Sequence, residues 1–108
     1  MSKYLLIQSR DAYESTAVRD HVEWAGALRR QGLEVAIFLV QNGVLSSRAG
    51  ADNEELQEAM TAGIEVLADG FSLRERGIAA NEVARGVRPA AIETVVERLA
   101  AGWKVMFL

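Results

Sequence analysis

The chain has no cysteine among its 108 residues. That one absence removes disulfides, thiolate nucleophiles, persulfide carriers, iron–sulfur clusters and the common structural zinc sites together. A single histidine, His21, must carry any imidazole chemistry, and a single proline leaves no place for a Pro-rich linker. No apolar run approaches the roughly 18 to 20 residues a spanning helix needs. The start, Met1-Ser2-Lys3 and then a short apolar run, lacks the small-residue cleavage site of a signal peptide. A cytoplasmic location without membrane contact is expected. Nor is there an excess of positive charge: 12 basic against 15 acidic residues give −3, and apart from Arg29-Arg30 and the trio Arg74, Arg76 and Arg85 the arginines are scattered, so nucleic acid is not an expected partner. The Gly-x-x-x-x-Gly-Lys-Ser/Thr and Gly-x-Gly-x-x-Gly fingerprints are missing, as is a Gly-x-Ser-x-Gly elbow. Nucleotide cofactors and serine hydrolysis therefore have no support, and no cofactor, metal or catalytic residue is assigned.

What is present is a regular alternation. Half the residues are apolar and a quarter charged, which suits one ordered domain over residues 1–108. Lys3 to Ser9 is a nearly continuous apolar run, as in a strand buried on both faces. Asp11 with Glu14 has capping-box spacing, and Val18, His21, Val22, Ala25 and Leu28 then repeat at helical spacing up to Gly32, predicting a helix over 12–31. Leu33 to Val40 is a second strand, Val44 to Ala51 reads as loop, and Asp52 with Glu55 caps a helix carried by Leu56, Ala59, Met60 and Ala62 to Gly63. Ile64 to Ala68 is a third strand. Ser72 and Glu75 have capping spacing for a short helix stopped at Gly77, and 82–87 is a place for a short fourth strand. Pro89 suits the first position of a helix whose buried stripe is Ile92, Val95, Val96 and Leu99, and Trp103 to Leu108 forms a terminal strand. The expected architecture is α/β: a three-layer sandwich with a four- or five-stranded, mainly parallel sheet and helices on both faces. A cover this thin on a short chain, ending in an apolar strand, favours an oligomer.

In open parallel sheets ligands lie beyond the carboxyl ends of the strands. Three loops qualify: Ser9-Arg10-Asp11, Gln41-Asn42-Gly43 and Asp69-Gly70-Phe71-Ser72. Ser9, Arg10, Asn42, Gly43, Asp69, Gly70 and Ser72 are the candidate ligand contacts, offering hydroxyl, guanidinium, amide, carboxylate and bare backbone. The same residue types also cap helices and form turns, and the two uses coexist. Whether Arg10, Arg48 and Arg74 gather around one anion is open at this level. His21 lies mid-helix on an apolar face, a packing position rather than a catalytic one; Trp24 and Trp103 suit half-buried core or subunit contact.

The order of elements, the Asn42-Gly43-Val44 turn, the segment Asp69-Gly70-Phe71-Ser72-Leu73-Arg74-Glu75-Arg76-Gly77 and the closing Trp-Lys-Val-Met-Phe-Leu strand resemble the DsrE/DsrF-like family over nearly the whole chain. The resemblance implies a small α/β fold with a five-stranded, mainly parallel sheet, assembly as trimers or hexamers, and for several members a part in intracellular sulfur relay. In the sulfur-transferring members a cysteine stands after the third strand, seven residues before the Arg of an Arg-Gly pair. Counting back from Arg76 gives Asp69. A carboxylate does not accept sulfane sulfur as a thiolate does, so the persulfide role does not carry over. The resemblance then implies a non-catalytic, oligomeric binding or accessory subunit, acting beside a cysteine-bearing sulfur-transfer protein. The alternative is a small-ligand receptor or cysteine-independent enzyme in which Asp69 works as base or cation contact with Ser9, Asn42 and Ser72 around it.

Overall fold

Strands that are apolar on both faces must be covered on both, and parallel neighbours must be joined by crossovers long enough to hold a helix. The computed structural model describes residues 2–11, 17–51 and 54–108. In chain order it contains β1 (Lys3–Gln8), α1 (Ala17–Arg30), β2 (Glu34–Leu39), a 3₁₀ segment Gln41–Ser47, α2 (Glu54–Thr61), β3 (Glu65–Asp69) and α3 (Gly70–Glu75). A 3₁₀ turn Ala80–Glu82, β4 (Arg88–Ala90), α4 (Glu93–Ala100) and β5 (Lys104–Phe107) complete it. The five strands form one sheet in the order β4-β3-β2-β1-β5, every pairing parallel. β2 is central, and β1 lies inside the sheet beside it, its run Leu5-Leu6-Ile7 buried and pairing β2 on one flank and β5 on the other.

Alternate residues of the strands feed two clusters. Leu6, Val35, Ile37, Leu39, Val66 and Ala68 pack under α1, α2 and α3 with Ala25, Leu56, Ala59 and Leu73. Leu5, Ile7, Ala36, Phe38 and Leu67 face the other way, where the one helical residue among the buried members is Val95 of α4, with Trp103 and Val105 at the margin. The three-layer sandwich is thus real and lopsided. Gly32 and Gly63, at φ +83° and +92°, end α1 and α2 in the left-handed conformation that glycine adopts without strain.

Several local expectations are corrected. Glu14 and Asp52, members of the two expected capping boxes, lie outside the described residues, as does the expected start of α1 at Ala12. The segment 82–87 is not a sheet strand: Val83 bridges Arg48 antiparallel, and Ala84 N donates to Ser47 O at 2.6 Å. The fourth strand is Arg88–Ala90, and Pro89 lies inside it, opposite Ala68, rather than at a helix start. An edge strand accommodates proline because one side has no ladder to lose. The 44–51 loop is partly 3₁₀, closed by Ser47 Oγ donating to Val44 O at 2.6 Å. Finally, the expected buried stripe of α4 is mostly bare. Val95 is buried, but Ile92, Val96 and Leu99 are 51%, 66% and 53% exposed, because among the described residues no further helix lies beside α4 on the second face.

α4 is held at its far end by charge. Arg98 Nη1 donates to Glu65 Oε1 at 2.6 Å, Arg88 Nη2 donates to the other Glu65 oxygen, and the Arg98 guanidinium lies 4.6 Å from the Trp103 ring centroid. The hydrogen bond from Arg98 holds the Glu65 carboxyl below its ordinary 4.5 against the opposing effect of burial, with the charges of Arg98 and Arg88 adding to it. A lowered carboxyl pKa contributes stability above the unfolded value and loses it as pH falls through the folded one. Glu65→Gln is therefore expected to cost about 1 kcal/mol at neutral pH, small because the group is partly solvated. In paired urea melts the gap between wild type and variant should shrink as pH is taken below 4.5; a gap independent of pH would remove the ion pair as its cause.

Candidate functional site

With every strand parallel, all carboxyl ends open at one end of the sheet. There β3 finishes on Asp69, which is also the N-cap of α3: its Oδ2 accepts from Ser72 N at 3.0 Å and from Ser72 Oγ at 2.7 Å. The roles expected of Ser72 and Glu75 are thereby corrected, since Ser72 is the capped residue and Asp69, three residues earlier, the cap. Ser72 Oγ in turn accepts from Gln41 N at 2.8 Å. Gln41 has φ 51°, a left-handed backbone that costs a non-glycine residue about 1 kcal/mol, and this bond to Ser72 is one of the contacts that hold it. Next to it Asn42 Oδ1 accepts from Arg76 Nη2 at 2.9 Å and Nε at 3.2 Å, while Arg76 Nη1 donates to Ser72 O at 3.3 Å. The loop after β2 and the helix after β3 are thus tied by side chains 31 and 34 residues apart.

These residues border an open cleft of about 690 Å³. Ser9, Asn42, Asp69 and Ser72 share its polar surface with Gln41, Glu75, Arg76 and Glu93, and Phe71, Ile92, Val96 and Phe107 are among its apolar walls. Asp69 and Ser72 are buried, at 7% and 4% exposure, whereas Phe71 and Phe107 stand out at 61% and 81%. Of the seven candidate contacts, four therefore meet. Gly70 and Arg74 border a neighbouring groove with Pro89, and Gly43 is packed against the end of β1, where its N–H donates to Ser9 O at 3.1 Å. Arg10 faces the other side of the sheet, beside His21 and Leu56. Arg48 bonds Leu45 O near Asn81. Arg10, Arg48 and Arg74 thus border three different depressions and do not share an anion.

His21 Nδ1 lies 2.8 Å from Gln8 Oε1, and Gln8 Nε2 donates to Arg10 O at 3.3 Å. An amide oxygen only accepts, so Nδ1 carries the proton. The ring fastens α1 to the end of β1 and does not border the cleft of Asp69. Among the described residues no three His, Asp or Glu side chains converge as a metal site, and no helix is long and apolar enough to cross a membrane. Sequence reasoning does not place Arg76 or the Phe107 wall among the site residues. Arg76 sits one helical turn after Ser72, a spacing visible in the sequence, but its partner Asn42 is distant along the chain.

The sequence profile of one family matches residues 2–108. The chain belongs to the DsrE/DsrF-like family. Solved structures share this DsrE/DsrF-like architecture over essentially the full length. The ychN protein from E. coli superposes with a TM-score of 0.89 at 20% identity, covering 100% of both chains. The protein of unknown function MTH1491 from Methanobacterium thermoautotrophicum gives 0.87 at 15%, again covering 100% of both. The conserved protein BT1422 from Bacteroides thetaiotaomicron, also of unknown function, gives 0.74 at 19% over 99% of this chain and 95% of its own. At such identities the likeness establishes the fold. Among curated proteins none matches the chain significantly. In this DsrE/DsrF-like chain the end of β3 offers a capped carboxylate and no thiol.

Proposed function

We propose that the protein is a non-catalytic, oligomeric member of its family that serves intracellular sulfur metabolism as a binding or accessory subunit, beside a partner whose cysteine performs the transfer. The observation that carries this reading is the state of Asp69. At the position where the resemblance places an acceptor cysteine, the side chain is a carboxylate with one oxygen committed to Ser72 N and Ser72 Oγ. It holds α3 and the loop after β2 in place, a structural duty, and it has no means of carrying sulfane sulfur. The cleft above it is intact, so the scaffold is kept while the nucleophile is not.

Assembly as a trimer or hexamer belongs to the same reading. Ile92 just before α4, Val96 and Leu99 within it, Phe71, and Met106 and Phe107 of β5 are all exposed, and β5 is an edge strand. Large apolar side chains at this density on a small chain mark a surface that another subunit covers. The alternative, a ligand receptor or an enzyme with Asp69 as base, is favoured by one observation: no described donor reaches Asp69 Oδ1, the oxygen left over from capping.

Native mass spectrometry of the protein purified gently from its own host separates these. A mixed complex with a cysteine-bearing relative is the expected result. A homo-oligomer that retains a small molecule would replace the accessory role by the receptor reading, and a bare monomer would overturn the subunit reading altogether.

A further inference from the structure

We propose that the cleft binds an amine cation carried on an apolar body, with Asp69 Oδ1 as its counter-ion. The inference rests on reading this cleft as a binding site and names the chemical class it takes. A volume of about 690 Å³ lies within the range of small-molecule sites, about 300 to 1,000 Å³. Its walls at Phe71, Val96 and Phe107 are apolar and offer no donor. At its floor Asp69 is 93% removed from water, with the remaining 7% exposed, and both donors that reach it, Ser72 N and Ser72 Oγ, fall on the same oxygen, Oδ2.

Among the described residues no buried side-chain oxygen lacks a partner, so Oδ1 is the oxygen that still meets solvent in the open cleft, and a ligand that covered it would have to match its charge. Among the described residues the one cation bordering the cleft is Arg76, and its guanidinium is turned to neutral acceptors, Asn42 Oδ1 and Ser72 O. Glu75 and Glu93 border the same space and add to its negative potential. An anionic ligand would meet three carboxylates there, and a neutral apolar one would leave Oδ1 without a donor. An ammonium presents three donors and a positive charge to Oδ1 while its chain lies along the apolar wall.

The test uses three probes of one length, hexylammonium, hexanol and hexanoate, titrated into the full chain and followed by calorimetry and by amide shifts of residues 69–76. Hexylammonium is expected to bind about tenfold or more tighter than hexanol, as a charge-assisted hydrogen bond confers, and hexanoate to bind least. Asp69→Asn keeps an oxygen to accept from Ser72, so the cap survives, and it should bring hexylammonium down to the level of hexanol. Equal affinity for the three probes, or hexylammonium binding unchanged in a folded Asp69→Asn, overturns the proposal. Selectivity among the probes is read on the wild type, so an unfolded variant leaves that arm decisive. A mixed complex found without amine selectivity keeps the accessory role and removes this inference. Amine selectivity in a homo-oligomer does the reverse.

Discussion

Gly43→Ala is expected to lose about 3 kcal/mol or more of folding stability. A Cβ built on Gly43 would lie 2.3 Å from Gln8 O and 3.2 Å from Gln8 C. Both are backbone atoms of the inner strand β1, not the far end of a side chain that could swing away. Gln8 O also accepts from Val40 N at 3.0 Å, and Gly43 N donates to Ser9 O at 3.1 Å and Val40 O at 2.9 Å. The clash is therefore relieved only by breaking the bonds that turn the chain out of β2. Overpacking in a fixed frame costs about 1 to 3 kcal/mol, and an overlap against main chain belongs at or above the top of that range, out of a total of about 5 to 15 for a domain. Gly26→Ala is the matched control. Its Cβ would meet the tip of the flexible Arg30 side chain at 3.3 Å, and the change raises helix propensity, so it should be neutral or stabilising by up to about 1 kcal/mol. Guanidinium midpoints of both variants decide the matter. A Gly43→Ala protein as stable as wild type would mean that the 3₁₀ segment can move off β1. Gln41 and Asn42 would then not be held over the cleft by this contact.

Gly43 also shows where the sequence was readable and where it was not. As a residue of the second loop it was a candidate for ligand contact, since bare backbone at a strand end suits a ligand. The close neighbour turned out to be Gln8 O, whose strand lies 35 residues earlier, and nothing local signals that. The apolar runs behaved differently: Leu5-Leu6-Ile7 and Val35-Ala36-Ile37-Phe38 state in their own composition that both faces are covered, so four of the strands and the parallel layout were legible. β4 was not. Three residues, one a proline, carry no periodicity, and the pairing with Leu67, Ala68 and Asp69 is supplied by β3. The cap of α3 was misplaced by one turn because Asp69 and Ser72 both satisfy capping chemistry. Only the geometry shows Asp69 Oδ2 receiving Ser72 N. In the site, Ser9, Asn42, Asp69 and Ser72 were legible because strand ends are marked by polar residues. Arg76 and the walls at Val96 and Phe107 were not, since each faces its partners only after the sheet is assembled.

The misread stripe of α4 leads to the other large effect. Ile92, Val95, Val96 and Leu99 have the spacing of a core helix, yet only Val95 reaches the core. A helix with an apolar arc wider than its own sheet covers has surplus that an adjoining subunit would bury. Val96→Asp combined with Phe107→Asp is accordingly expected to convert a trimer or hexamer into monomers. Central anchors at interfaces cost about 2 to 4 kcal/mol each when lost, and a charge in place of the apolar group adds desolvation to that. The dissociation constant should then rise by at least about a thousandfold, since each 1.4 kcal/mol is a factor of ten. Sedimentation velocity at micromolar concentration reads the change directly. The variant monomer should keep its far-ultraviolet spectrum, because at 66% and 81% exposure the two side chains contribute little to the core of their own chain. A wild-type monomer at that concentration would sink the subunit reading. An oligomer untouched by the double variant would move the interface elsewhere and leave the α4 and β5 surplus to another partner. The same two residues wall the cleft of Asp69, so an interface here would roof the site with a second subunit, and amine binding should then weaken in parallel with assembly.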